Sequence, residues 1–297
     1  MTALLCIGEC MVEMASTGDA NFRMGFAGDS FNTAWHARKI LGDHAKVNYF
    51  SAVGDDNISQ RMLDFMAQQK IGTDFIARRK AMRPGLYTIE LNQAERSFTY
   101  WREASAARTL GDDAEALDLA MAQHDAIYFS GITLAILPPK ARATLLAALK
   151  IAAKAGKTIA FDSNLRPKLW PDAQSMRDAI KLAAAVTTLA LPTIPDESEL
   201  FGEPDAASVA ARYQAAGVSE VVVKAGANPA QLFWSSQHAS VAAAPVVAVD
   251  TTGAGDSFNG AYIASRLQGL TPVAAAAVAH GRAAQVIQQY GALDLNT

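Results

Sequence analysis

Around residue 253 the chain assembles residue types that could together move a phosphoryl group. The segment reads Val249-Asp250-Thr251-Thr252-Gly253-Ala254-Gly255-Asp256-Ser257-Phe258. Two glycines at a sharp turn leave backbone N–H groups uncovered by side chains. A helix that starts there adds orphan donors and a partial positive charge, a place for a phosphate or another anion. Asp256 then stands as a carboxylate beside the anion hole. It is either a favourable charge at a helix start or the base that phosphoryl transfer to a hydroxyl requires. Neither common glycine motif fits: position 258 of a would-be G-x-G-x-x-G is Phe, and the chain has no G-x-x-x-x-G-K-[ST].

Apolar runs alternate with helical patterns along most of the chain, and these elements must position that segment. The spacing predicts strands at 3–7, 47–53, 126–130, 158–162, 188–191, 220–224 and 246–250. It predicts helices near 30–41, 57–69, 139–155, 174–186, 207–216, 257–268 and 272–289, with Gly42, Gly156, Gly217 and Gly269 placed for C-caps. Strand, helix, strand in sequence implies an α/β fold, a mostly parallel sheet covered by helices on both faces. Ligands in such folds bind at the C-terminal ends of the strands, where Asp256 is expected. Residues 83–102 break the pattern with a period of two around a polar turn at 92–95, the mark of a hairpin. Alternation sets Tyr87 with Ile89 and Leu91, and Tyr100 with Phe98 and Arg102. Residues 9–27 could supply further strands.

A second glycine turn, Gly25-Phe26-Ala27-Gly28-Asp29-Ser30-Phe31-Asn32, reads as a strand-to-helix turn with Ser30 as the cap. Residues 221–226 read as a buried strand that ends in Lys224 and Gly226. The composition is that of a globular protein, 51% apolar and 19% charged, and the net charge of −3 argues against a general nucleic-acid surface. Cys6 and Cys10 are the only cysteines, and reduced thiols suit them best. The apolar run 3–7 is too short for a signal-peptide core, and no run nears the roughly 18 apolar residues of a membrane helix. A cytoplasmic protein without membrane or nucleic-acid partners is expected. His36, His44, His124, His238 and His280 show no metal or triad spacing.

The string D-T-T-G-A-G-D at 250–256 resembles the C-terminal signature of the PfkB-type carbohydrate kinases, the ribokinase family. The segment around Gly28, Asp29 and Asn32 is similar to the family's N-terminal signature G-G-D-x-x-N, with Ala27 in place of the first glycine. The resemblance extends over nearly the whole chain. Gly8-Glu9-Cys10-Met11, Pro84-Gly85-Leu86-Tyr87, Tyr100-Trp101-Arg102 and Asp162-Ser163-Asn164-Leu165-Arg166-Pro167 resemble the branch that phosphorylates 2-keto-3-deoxygluconate.

The resemblance implies one ribokinase-like domain over residues 1–297, with a small β-sheet lid from segments about 9–27 and 83–104 that is often used for homo-oligomer contacts. It implies ATP-dependent transfer to the terminal hydroxyl of that sugar acid, with ATP and Mg2+ as cofactors. Asp256 is implied as the base, with Gly253, Ala254, Gly255 and Arg166 at the transferred phosphate. Gly28, Asp29, Asn32, Tyr87, Tyr100, Arg102 and Arg166 are implied for the sugar acid, and Asn164, Arg166, Lys224, Gly226, Gly253 and Gly255 for the nucleotide. A sugar acid and a phosphoryl donor both bring negative charge, so guanidinium groups suit such a site. The family's N-x-x-E appears as Thr193-Ile194-Pro195-Asp196 with Glu197 next, so the resemblance implies no direct metal ligand and offers Asp196 as a candidate outer-shell acid. Another acceptor such as fructose is the alternative within the family. A non-catalytic sugar sensor is the alternative outside it, although a sensor needs no base at a phosphate. A dehydrogenase lacks its dinucleotide fingerprint.

Overall fold

The computed structural model describes residues 2–18, 21–92 and 95–294. In chain order, β1 (Thr2–Ile7), β2 (Met11–Gly18) and β3 (Asn21–Ala27) lead into α1 (Asp29–Leu41). Then follow β4 (Ala45–Gly54), α2 (Asn57–Gln68), β5 (Ile76–Arg79) and the hairpin β6 (Leu86–Asn92) and β7 (Glu95–Trp101). The middle of the chain forms α3 (Ala114–Ala122), β8 (Ala126–Ser130), α4 (Gly131–Ile136), α5 (Pro139–Lys154), β9 (Thr158–Asp162) and α6 (Ala173–Ala184). The last third holds β10 (Leu189–Ala190), α7 (Ile194–Phe201), α8 (Ala206–Ala215), β11 (Glu220–Ala225), β12 (Asn228–Trp234), β13 (Gln237–Val241), α9 (Ala254–Leu267) and α10 (Pro272–Val286).

The large sheet runs β13-β12-β11-β10-β9-β8-β1-β4-β5. It is parallel from β11 to β5, and an antiparallel β12–β13 hairpin finishes one edge. From β1 the chain builds outward one way through β4 and β5, and the other way from β8 to β11. A crevice opens where the order reverses, at the C-terminal ends of the strands. Strand β1 shows why the sheet is central: Leu4 and Cys6 face one apolar cluster, Leu5 and Ile7 the other, and all four are fully buried. A strand covered on both faces has no polar side, which is why it reads as a plain apolar run. Cys6 and Cys10 are buried free thiols.

The second sheet runs β3-β2-β6-β7, with β2 parallel to β6 and the other pairs antiparallel. It is built from the two segments that interrupt the α/β alternation. Its register sets Tyr87 opposite Tyr100 and Ile89 opposite Phe98. Tyr87 and Tyr100 stack with ring centroids 5.7 Å apart. The hairpin tip and the side chain of Leu91 lie outside the described residues.

Two expectations fail here. Residues 246–250 form no strand: the sheet edge is taken by β12 and β13, and the segment instead lies along the end of α10. The Val249 and Asp250 amides both donate to the Ile287 carbonyl, at 2.7 and 3.1 Å. Val247 is 86% exposed, so this β-branched run was never a core strand. Ser30 does not cap α1, which begins one residue earlier at Asp29 after Gly28. The Ser30 hydroxyl bonds Tyr49 instead, at 2.8 Å.

Candidate active site

Helices α1 and α9 begin at the same end of the sheet and pack along each other. Gly260 permits this contact, because a methyl group there would sit 2.4 Å from the Thr33 carbonyl oxygen. The approach brings the first turns together, and the Asn32 amide donates to Asp256 Oδ2 at 2.8 Å. Asn32 is itself anchored by the Gly28 amide, which donates to its Oδ1 at 3.3 Å. Gly28 admits no side chain: its Cβ would meet the Glu9 carbonyl at 2.2 Å. Beside Asp256, Asp29 accepts from the Ser130 hydroxyl at 2.5 Å and from the Asn164 amide at 2.9 Å. Burial, and then the Asp29 carboxylate nearby, push the Asp256 carboxyl up to about 7. A base poised near neutrality suits proton transfer at cellular pH.

The two glycines of the turn before α9 differ in conformation. Gly253 is left-handed, with φ 78°, and a Cβ would lie 2.7 Å from that of Ala292. Gly255 lies inside the helix, where its dihedrals suit any residue. Only space distinguishes it: a methyl group there would point to within 3.7 Å of the Lys224 ammonium. The turn is held from behind by the C-terminal segment, whose Gly291 amide donates to Asp250 at 2.7 Å.

Two cavities meet at this turn. The larger, of about 540 Å³, is lined by Asp29, Asn32, Tyr87, Tyr100, Arg102, Asn164, Arg166, Asp196 and the whole 251–256 segment. The smaller, of about 220 Å³, is lined by Gly226, Phe258 and His280. Thr193, Lys224, Ala254 and Gly255 line both. The structure therefore gathers every residue named from the sequence, with Gly226 in the smaller cavity and Gly28 at the wall of the larger. Gly226 has φ 62°, a conformation that favours glycine. Lys224 is not a surface charge at a strand end. It is buried, and bonds Asp162 at 2.8 Å and Asn259 at 3.0 Å.

Arg102 lies just past the end of β7, buried, and its guanidinium is paired with the buried Glu9. It is thus not a solvated strand arginine, nor an uncompensated cation. Arg166 is exposed at the rim and donates to the Leu165 carbonyl at 2.6 Å. Of the two acids in the altered motif, Asp196 lines the cavity and accepts from the Leu165 amide at 3.1 Å. Glu197 points away into the protein, to Arg212 and to the Tyr213 hydroxyl at 3.0 Å. Glu9, Ser130, Asp162, Asn259 and Gly260 support the site without a role having been read for them. Ser130 and Asp162 each end a predicted strand on the ligand-binding edge, and Glu9 and Asp162 stand in strings that carry the resemblance.

A near-neutral carboxyl beside a helix N-terminus, a buried ammonium and two cavities that meet between them together suit phosphoryl transfer to a hydroxyl. The whole chain, residues 1–297, matches the pfkB family carbohydrate kinase profile. The chain belongs to that family. It is 39% identical to a 2-dehydro-3-deoxygluconokinase of Dickeya dadantii, over 97% of this chain and 95% of the relative. The fold matches the crystal structure of a PfkB protein from Polaromonas sp. JS666 with a TM-score of 0.86 and 26% identity, over 97% of this chain and 96% of that one. It also matches a putative ribokinase II in complex with ATP and Mg2+ from E. coli, with a TM-score of 0.84 and 23% identity, over 98% and 94% of the two chains. As a pfkB kinase the chain is expected to need a binding wall for each substrate, and the two joined cavities supply the space.

Proposed function

We propose that this kinase transfers the γ-phosphoryl group of ATP to the terminal hydroxyl of 2-dehydro-3-deoxy-D-gluconate, giving the 6-phosphate used in sugar-acid breakdown. The observation that carries the reading is Asp256, raised towards neutrality and held by Asn32 at the start of α9. The 39% identity with a 2-dehydro-3-deoxygluconokinase supports the acceptor. The sugar acid lies between the small sheet and α1, against Tyr87, Tyr100 and Arg102, with Asp29 and Asn32 on its hydroxyls. The small sheet acts as the lid of one kinase domain. ATP reaches the turn from the side of Gly226 and Lys224, and Asn164 and Arg166 face its phosphates. Because it draws on ATP, the enzyme works in the cytoplasm.

The acids present fit a hydrated Mg2+ held mostly by nucleotide phosphates. Burial, and then the neighbouring Asp162 charge, raise the Asp196 carboxyl, a strain that a divalent cation relieves. An Mg2+ ion keeps several waters and is held mostly by substrate phosphates, so it needs few protein ligands. Asp196 would hold it through water, and its chemistry would be to neutralise phosphate charge.

A coupled ADP-release assay across sugars and sugar acids tests the acceptor, and the lid supplies its sharpest form. Removing Arg102 alone would strand the Glu9 carboxylate in the interior, so Arg102→Met is best combined with Glu9→Gln. The double variant should lose about 2–3 kcal/mol of kcat/KM for the keto acid and little for neutral sugars. Equal losses for both, or a wild-type preference for fructose, would overturn the acid assignment.

The lid also carries a surface for self-association. Strand β7 is one edge of the small sheet, and Trp101 on it is 55% exposed. An exposed edge strand bearing aromatics pairs readily with a copy of itself. Sedimentation equilibrium should show a dimer that Trp101→Glu converts to monomer. An unchanged mass would remove the lid from the interface.

A further inference from the structure

Lysine at a phosphate site is usually a mobile point charge on a four-carbon stem. Lys224 is not mobile. Its ammonium is buried among three elements, at the ends of β9 and β11 and in the second turn of α9. It donates to Asp162 Oδ2 at 2.8 Å and to Asn259 Oδ1 at 3.0 Å. The Asn259 amide donates to the same Asp162 oxygen at 2.6 Å and to the Tyr128 hydroxyl at 3.3 Å. The three side chains thus close a ring. The orientation of Asn259 follows from chemistry: its carbonyl oxygen must face the ammonium, and its NH₂ the carboxylate. Asp162 is held in turn, because its other oxygen accepts from the Asn164 backbone N–H at 3.1 Å.

An ammonium carries three donors. Asp162 and Asn259 take two, and the third remains at the junction of the two cavities, which Lys224 lines on both sides. Asn259 lies one helical turn beyond Gly255, so the ammonium it holds lies under the first turn of α9. Asp162 also supplies the counter-charge that a buried ammonium needs, at 2.8 Å.

We infer that Asp162 and Asn259 are positioning residues that fix the Lys224 ammonium under the start of α9, where it adds a fixed cation to the anion hole. The inference rests on the phosphoryl-transfer reading above. Asp162 also lines the larger cavity, but in this scheme it acts through Lys224 and through its charge. Around the Asp256 carboxylate stand Asp29 and Asn32 from α1, Asp162 from the end of β9 and Lys224 from the end of β11. Asp162 and Lys224 thus bear on the base with opposite signs.

The test compares pH profiles of kcat/KM for Lys224→Met and Asp162→Asn, with melting curves on both. Lys224→Met should lower kcat by about 10²-fold, the loss typical of one fixed donor at a developing charge. It should also move the acidic limb of the profile to higher pH. Asp162→Asn should lower kcat by roughly tenfold, short of removing the donor outright. Its acidic limb should move to lower pH, because the base loses a neighbouring negative charge. A purely structural role would lower activity in both variants and leave both limbs in place. Limbs that stay put, or that move the same way, overturn the inference. Should Asp162→Asn not fold, Asn259→Ser tests the second acceptor by calorimetric titration with ADP. Weaker binding by about fivefold, part of a charged hydrogen bond, supports the clamp, and unchanged affinity overturns it. Wild-type enzyme that releases no ADP with any acceptor would instead sink the functional reading, which these variants do not address.

Discussion

Asp256→Asn should lower kcat by about 10²- to 10⁴-fold while the protein still folds. A sugar hydroxyl is a poor nucleophile until its proton has an acceptor, and Asp256 is the carboxylate at the start of α9. Asn keeps the shape and the contact with Asn32 but cannot take the proton. ATP binding should be kept or slightly tightened, because a negative charge near the phosphates is gone. The stability of the variant runs the other way from its activity. The native carboxyl titrates at about 7, against 3.8 for an ordinary aspartate. A group raised on folding stabilises the fold below its unfolded value, and that contribution is lost as pH rises through the folded one. The variant should therefore melt higher than wild type at pH 8, and the gap should shrink towards pH 4. In wild type, kcat/KM should rise with pH through about 7, the value of the base. A helix-end charge predicts neither effect: Gly253 holds the cap position of α9, and losing a first-turn charge would cost only about 0.3–1 kcal/mol. A fall in turnover of less than about tenfold, well short of a general base's share, would leave Asp256 as such a charge.

The parallel layer was legible because it follows periodicity. Its central strands are apolar on both faces, and the helices between them end on glycines such as Gly156 and Gly217, both left-handed. What misled was residues 246–250, where an apolar β-branched run carries no information on whether a sheet edge is open to receive it. Hairpin β12–β13 had already closed that edge. The short helices α3, α4 and α7 were missed for a related reason: six to nine residues are too few to establish a period.

The site divides along the same line. Asp256, Asp29, Asn32 and Lys224 stand in short local strings at strand ends or helix starts, so a linear reading reaches them. Their supports come from far along the chain: Ser130 reaches Asp29 across 101 positions, and Asn259 reaches Asp162 across 97. No local pattern encodes such pairs. The ion pair of Arg102 was hidden likewise, since its partner Glu9 lies 93 positions away. The choice between Asp196 and Glu197 needed the helix itself: neighbours in sequence face different ways on α7, one into the cavity and one to Arg212.

The two glycines of the turn should part company under mutation. Gly253→Val should cut turnover by about 10²-fold or more, comparable to losing an anion-hole donor. Two effects act together. Gly253 sits at φ 78°, which costs a residue with a Cβ roughly 1–2 kcal/mol, and more when it is β-branched. Its Cβ would also lie 2.8 Å from the Ala292 backbone, which is tied back through Gly291 to Asp250 and cannot yield freely. The turn must then shift, and the first-turn amides of α9 shift with it. Gly255→Ala is the internal control. Its backbone is helical, so Ala should raise the melting temperature through about 1 kcal/mol of helix propensity. Its methyl group, however, points into the cavity towards Lys224 and should raise KM for ATP. One glycine is thus needed for the shape of the chain and the other for the space beside it. Steady-state kinetics with melting curves on the two variants reads both effects. Gly253→Val with wild-type turnover would show that the turn does not set the anion hole, and Gly255→Ala with an unchanged KM would move the phosphates elsewhere.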